Sequence, residues 1–125
     1  MTQEQQTAVK AVEEKQDLLG RVADEIWEYA ELSLQEVKSA ECYCQVLEEE
    51  GLRVERGICG IDTAFSAEFG NGSPRIGILA EYDALSGLSQ EAGSLERKEL
   101  ISGGCGHGCG HNLLGAGALG AALGV

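Results

Sequence analysis

The residues best equipped for chemistry stand together in one short stretch, Gly103-Gly-Cys-Gly-His-Gly-Cys-Gly-His-Asn-Leu-Leu-Gly115. It holds both histidines of the chain, two of its five cysteines and six of its eighteen glycines. Cys105, His107, Cys109 and His111 alternate with single glycines. Thiolate and imidazole are ligands that zinc and similar divalent ions prefer. Glycine between them lets the backbone bend where a residue with a Cβ could not. A loop of this kind can aim two side chains at one ion. It then runs into an apolar segment of helical character, which would put the ion at a helix N-terminus.

A second pair of candidates is Glu81 and Asp83. They close an apolar run that reads as a buried strand, and their spacing of two sends both side chains from one face. The C-terminal end of a strand is where α/β sheets usually carry their sites. Cys109 and His111 cannot complete a site alone, since zinc takes about four ligands and two-ion catalytic sites take more. The remainder must come from Glu81 or Asp83, from Cys105 or His107, or from other residues. A dinucleotide fingerprint is excluded, because His111 stands where its third glycine belongs. No Gly-Lys-Ser/Thr is present, so a phosphate loop of the Walker type is excluded too.

The elements that must position these groups follow from periodicity. Leu19, Val22, Ile26 and Ala30 make an apolar stripe within a helical stretch from about Gln5 to Leu32, with Trp27 expected in the core. Ser33-Leu34-Gln35-Glu36 reads as a capping box for a second helix, carrying Val37, Ala40, Cys44 and Leu47 on one face. Gly51 is placed to end it in the left-handed conformation. Cys42 and Cys44 are read as packing residues. Leu52 to Arg56 and Thr63 to Phe69 read as strands, and Gly70-Asn-Gly-Ser-Pro74 as a turn. That turn predicts a hairpin between Thr63–Phe69 and the run Arg75–Tyr82. Ser86 to Ser102 is a polar loop, followed by a final helix capped by Asn112 whose small residues suit close approach to a sheet.

Composition limits the partners. The 125 residues carry a formal charge of −12, with 43% hydrophobic and 24% charged residues. That balance is expected of one globular domain, and it argues against nucleic acid and anionic membrane as partners. Fourteen of the 21 acidic residues precede Cys59, a pattern read as solvated helix surface. The longest apolar stretch, Leu113 to Val125, falls short of the roughly 20 residues a membrane span needs. With no export signal at the N-terminus and an odd number of cysteines, a cytoplasmic location is expected.

Two segments together resemble peptidase family M twenty, in its amidohydrolase branch. They are Ile78-Leu-Ala-Glu-Tyr-Asp-Ala-Leu85 and Gly106-His-Gly-Cys-Gly-His-Asn-Leu-Leu-Gly115. The resemblance implies an α/β fold, the N-terminal portion of a two-ion metallopeptidase catalytic domain with helices packed on a mixed sheet. All of residues 1–125 would fall in that portion, with the lid and dimerisation domain absent. It implies that Cys109 and His111 bind metal, that Asp83 supports a metal-binding histidine, and that Glu81 and His107 lie near the site. The cofactors would be two divalent ions, zinc or manganese. The activity would be hydrolysis of the amide in an N-acyl or aminoaroyl amino acid or a dipeptide. Metal-activated water would attack the carbonyl with a glutamate as general base. That glutamate and the remaining ligands follow residue 125 in the family, so the 125 residues are expected to be an inactive fragment of a homo- or hetero-oligomeric enzyme. The chain departs from the family at Ser86 and Cys105, where proline is usual. A rival reading is a small non-catalytic module that binds one ion through Cys105, His107, Cys109 and His111. Alternate side chains on an extended chain stand about 6.5–7 Å apart, which opposes that reading unless the loop folds sharply.

Overall fold

A computed structural model describes residues 1–125 as four helices and one small sheet. Helix α1 spans Gln3–Glu14, α2 Gln16–Tyr29, α3 Val37–Glu49 and α4 His111–Gly124. Strands β1, Arg53–Arg56, and β2, Phe65–Glu68, form an antiparallel pair, with a short 3-10 turn at Ile58–Gly60 between them. The α/β character holds. The sheet is a two-stranded antiparallel ribbon, however, and not the mixed sheet expected.

The expected first helix is two helices broken at Lys15. Thr2 and Gln5 cap α1 reciprocally: the Gln5 amide donates to Thr2 Oγ1 at 3.3 Å and the Thr2 amide to Gln5 Oε1 at 2.9 Å. The Lys15 ammonium reaches Glu50 Oε2 at 2.6 Å, tying the break to the end of α3. On α2 the apolar stripe is buried as its spacing requires, with Val22 and Ile26 both fully shielded. They pack with Cys42, Tyr43, Val46 and Leu47 of α3 and with Leu119 of α4. Each such aliphatic side chain contributes roughly 1.5–3 kcal/mol by leaving water. Cys42 and Cys44 are buried packing residues, as expected. Trp27 is only half-buried, and it lies beside His107 instead of in the core.

The start of α3 differs from the expected Ser33 capping box. The helix begins at Val37, and the group that satisfies its free amides is Glu31. Its carboxylate accepts from the Lys38 amide at 3.0 Å, the Ser39 amide at 2.9 Å and the Ser39 hydroxyl at 2.8 Å. A carboxylate gains more at a helix N-terminus than a hydroxyl does, because it also meets the positive end of the dipole. Glu36 is buried and accepts from Thr63 Oγ1 at 2.8 Å. Gly51 takes φ +87° after α3, as its position predicts.

The expected hairpin is on the wrong side of β2. That strand pairs with β1, Val54 opposite Ala67, and the run Arg75–Tyr82 forms no strand. Residues 68–81 are exposed throughout, Leu79 at 94%. An apolar run without alternation suits a strand covered on both faces. These residues find neither a flanking strand nor a cover. The loop expected from Ser86 to Ser102 holds, with no regular element.

Helix α4 packs on α1 and α2, not on a sheet. The small residues serve that contact: a Cβ on Gly120 would stand 3.0 Å from Leu19, and one on Gly124 2.8 Å from Val12. No helix is long and apolar enough to cross a membrane.

Candidate metal centre

The site is assembled by a short series of backbone contacts. After α2 the chain leaves the helix at Ala30, and the Ala84 amide donates to the Glu31 carbonyl at 2.7 Å. Leu32 and Ala84 form a parallel bridge. One residue further, Leu85 and Gly106 exchange two hydrogen bonds of 3.0 Å. The segment carrying Asp83 is thus held between the end of α2 and the glycine-rich loop. That loop can approach so closely only because Gly106 lacks a Cβ, which would stand 2.0 Å from the Leu88 carbonyl oxygen.

Helix α4 begins at His111, with Gly110 as its N-cap at φ +81°. Asn112, expected as the cap, is instead inside the helix and buried. The imidazole therefore lies in the first turn, facing the Glu81–Asp83 segment. His111 Nδ1 is 2.8 Å from Asp83 Oδ1 and 3.2 Å from the Asp83 main-chain oxygen. A carbonyl can only accept, so Nδ1 carries the proton and donates to Asp83. Nε2 is left 3.4 Å from Glu81 Oε2. In the neutral ring that nitrogen is a lone pair facing a carboxylate oxygen, and the contact is favourable only if a proton or a cation stands between them.

Ligand atoms of Glu81, Asp83 and His111 lie within 4.8 Å of one another, and no lysine or arginine pairs with either acid. Two ligands of one tetrahedral zinc ion, at about 2.0–2.2 Å each, stand roughly 3.3–3.6 Å apart. The Glu81–His111 separation fits that edge. His111 is half-buried, and Asp83 is shielded behind it with 22% of its side chain exposed, while Glu81 reaches toward solvent with 67% exposed. The three groups line the edge of an open cleft whose walls include Tyr43, Phe65, Tyr82 and Leu119.

The structure brings Glu81, Asp83 and His111 together. Cys109 is exposed and is not among the three groups whose ligand atoms converge. Cys105 is half-buried. His107 is 4% exposed and points into the protein, its Nε2 2.9 Å from the Ile26 carbonyl oxygen. The four alternating Cys and His residues therefore do not gather, which removes the geometry that the rival module needs. Sequence reasoning missed the actual role of Asn112, whose Nδ2 donates to the Ala23 carbonyl at 3.2 Å. It also missed Glu31, whose role depends on a partner helix seven residues away.

Two carboxylates and one oriented imidazole thus open at the first turn of a helix, an arrangement that could hold a cation. The chain is similar along nearly its whole length to a member of the peptidase and amidohydrolase family M twenty. It is 45% identical over 115 residues to one of the subunits of p-aminobenzoyl-glutamate hydrolase from Escherichia coli strain K12. The alignment takes in 92% of this chain and 24% of that relative, so the chain spans about a quarter of the relative's length. No family model matches the chain.

Proposed function

We propose that these residues belong to the metal centre of an amidohydrolase that cleaves an N-acyl or aminoaroyl amino acid or a dipeptide. Aminoaroyl-glutamate is the first substrate class to try, given the name of the relative. The observation that carries the reading is the orientation of His111. Its Nδ1 is engaged by Asp83, its Nε2 faces Glu81, and no side-chain cation balances the two acids. His111 and Glu81 would hold the ion, Cys109 would close on it from the adjoining loop, and Asp83 would orient the imidazole. The bound ion, zinc or manganese, would supply Lewis-acid polarisation of the amide carbonyl and a water of lowered pKa.

These groups are too few for two ions. The 125 residues alone are expected to bind one ion weakly and to turn over no amide. The full activity, a two-ion site and assembly into homo- or hetero-oligomers belong to the proposal for a longer enzyme. A cytoplasmic location suits five cysteines that form no disulfide.

The deciding experiment is a cobalt(II) titration of the reduced chain, followed by absorption. Weak binding with one thiolate per cobalt, lost in Cys109→Ala and kept in Cys105→Ala, supports the reading. A tight complex with two thiolates per cobalt would refute it in favour of a structural Cys/His site. Turnover of p-aminobenzoyl-glutamate by the 125 residues alone would overturn the expectation of inactivity.

A further inference from the structure

His107 and Asn112 flank the metal-type pair Cys109 and His111, yet both turn away from it and into α2. The Ile26 carbonyl can only accept, so His107 Nε2 must carry a proton and donate to it across 2.9 Å. Burial holds the pKa of this ring below its ordinary value. Nδ1 is buried and without a partner. A buried polar atom left unpaired costs stability. The ring is held there by the single bond to Ile26 and by Trp27, whose ring centroid is 6.3 Å away at a 30° tilt. Asn112 Nδ2 donates to Ala23, three residues before Ile26 and so on the same face of α2.

Between these two anchors lie Gly108, Cys109, Gly110 and His111. Two glycines in four residues give that segment unusual conformational freedom. Without anchors at both ends, the imidazole of His111 would sample many positions relative to Asp83 and Glu81. The Gly110 amide bonds the His107 carbonyl at 2.9 Å, so fixing the backbone of His107 also fixes the turn that launches α4.

We propose that His107 is a positioning residue: through its Nε2–H bond to Ile26, and with Asn112 at the other end, it locks the Cys109–His111 segment onto α2. His111 then meets Asp83 and Glu81 in one geometry. The role concerns the orientation of His111 itself, and rests on the metal reading only where metal affinity is the readout.

The test compares His107→Phe with His107→Gln in the 125-residue chain. Phenylalanine keeps a ring beside Trp27 but cannot donate. Glutamine gives up the ring, and its amide can still donate to Ile26. Without metal, long-range nitrogen–proton NMR of the His111 ring reports which nitrogen carries the proton. Hydrogen exchange at Gly110, Leu113 and Leu114 reports the turn. In His107→Phe the Nδ1–H form of His111 is expected to give way to an averaged signal, these amides to exchange about tenfold faster, and cobalt(II) to bind about tenfold more weakly. His107→Gln is expected to stay close to the parent in all three. Parent-like behaviour of His107→Phe would overturn the proposal, as would glutamine failing as badly as phenylalanine. If circular dichroism shows His107→Phe unfolded, His107→Met takes its place with the same expectations. A parent chain that binds no cobalt would refute the metal reading, and the His111 tautomer would still decide the role of His107.

Discussion

Replacing Asp83 by alanine tests the central geometry most directly. In the parent, the Nδ1–H of His111 has two acceptors, the Asp83 carboxylate at 2.8 Å and the Asp83 main-chain oxygen at 3.2 Å. Alanine removes the first and leaves the second. The ring keeps one restraint, so the loss should lie toward the lower end of the roughly 10–100-fold range usual for groups that support a metal ligand. About tenfold in cobalt(II) affinity is expected, which is about 1.4 kcal/mol. Asp83→Asn, which can still present an oxygen to Nδ1–H, should lose less. Glu81→Gln should lose more, because its oxygen is 3.4 Å from Nε2 and would face a bound ion directly. Titrations of the three variants by absorption give the order, and NMR of the His111 ring gives the tautomer. If Asp83→Ala weakens binding more than Glu81→Gln, Asp83 is itself a ligand and the assigned roles are exchanged. If neither affinity nor tautomer changes, the imidazole is oriented by something else and the argument fails.

Three further outcomes are expected. Burial, the main cause, holds the folded-state pKa of His107 below its ordinary 6.5. The unfolded chain therefore binds that proton first, and the contribution is complete above the ordinary value and lost as pH falls through the folded one. Urea midpoints of the metal-free parent should drop between about pH 7 and pH 5 by more than those of His107→Gln, and equal slopes would contradict this. Iodoacetamide at mildly alkaline pH should label the exposed Cys59 and Cys109 but neither Cys42 nor Cys44. Burial and the Glu25 carboxylate push the Cys42 thiol up to about 12, and burial also raises that of Cys44. Cobalt should then protect Cys109 while leaving Cys59 reactive, and mass spectrometry of the labelled peptides reads the difference. Gly106→Ala places a methyl against the Leu88 carbonyl. It should cost about 1–3 kcal/mol in thermal unfolding, an overpacking penalty. An unchanged melting temperature would mean that the loop does not cross Leu88 so closely.

The site was more legible in the sequence than the scaffold around it. Glu81, Asp83 and His111 stand out as candidates because ligand chemistry leaves a local record of residue types at short spacing. The stripe of Val22 and Ile26 was legible for the same reason, since helical burial repeats every three or four residues. Pairing leaves no such record. The turn at Gly70–Pro74 correctly ended β2, but nothing local said that β2 had already found its partner in Arg53–Arg56. The run Ile76–Ala80 has the composition of a covered strand and lies exposed, because cover is supplied by other layers and not by the run itself. Caps failed similarly. A hydroxyl at Ser33 satisfied the local pattern, whereas a carboxylate at Glu31 meets three donors and the helix dipole together.

The same distinction explains why His107 was placed near the site without a role. Its spacing in Cys105-Gly-His-Gly-Cys-Gly-His111 is indistinguishable from that of a ligand. What separates it from His111 is the partner of each ring, a helix carbonyl 81 residues earlier for one and a carboxylate 28 residues earlier for the other. Each ring has one nitrogen engaged, but the other nitrogen of His107 is buried without a partner, whereas Nε2 of His111 faces Glu81 at the cleft. Two identical side chains four residues apart thus divide the work of the loop. One holds it to α2, and the other presents a lone pair to the cleft.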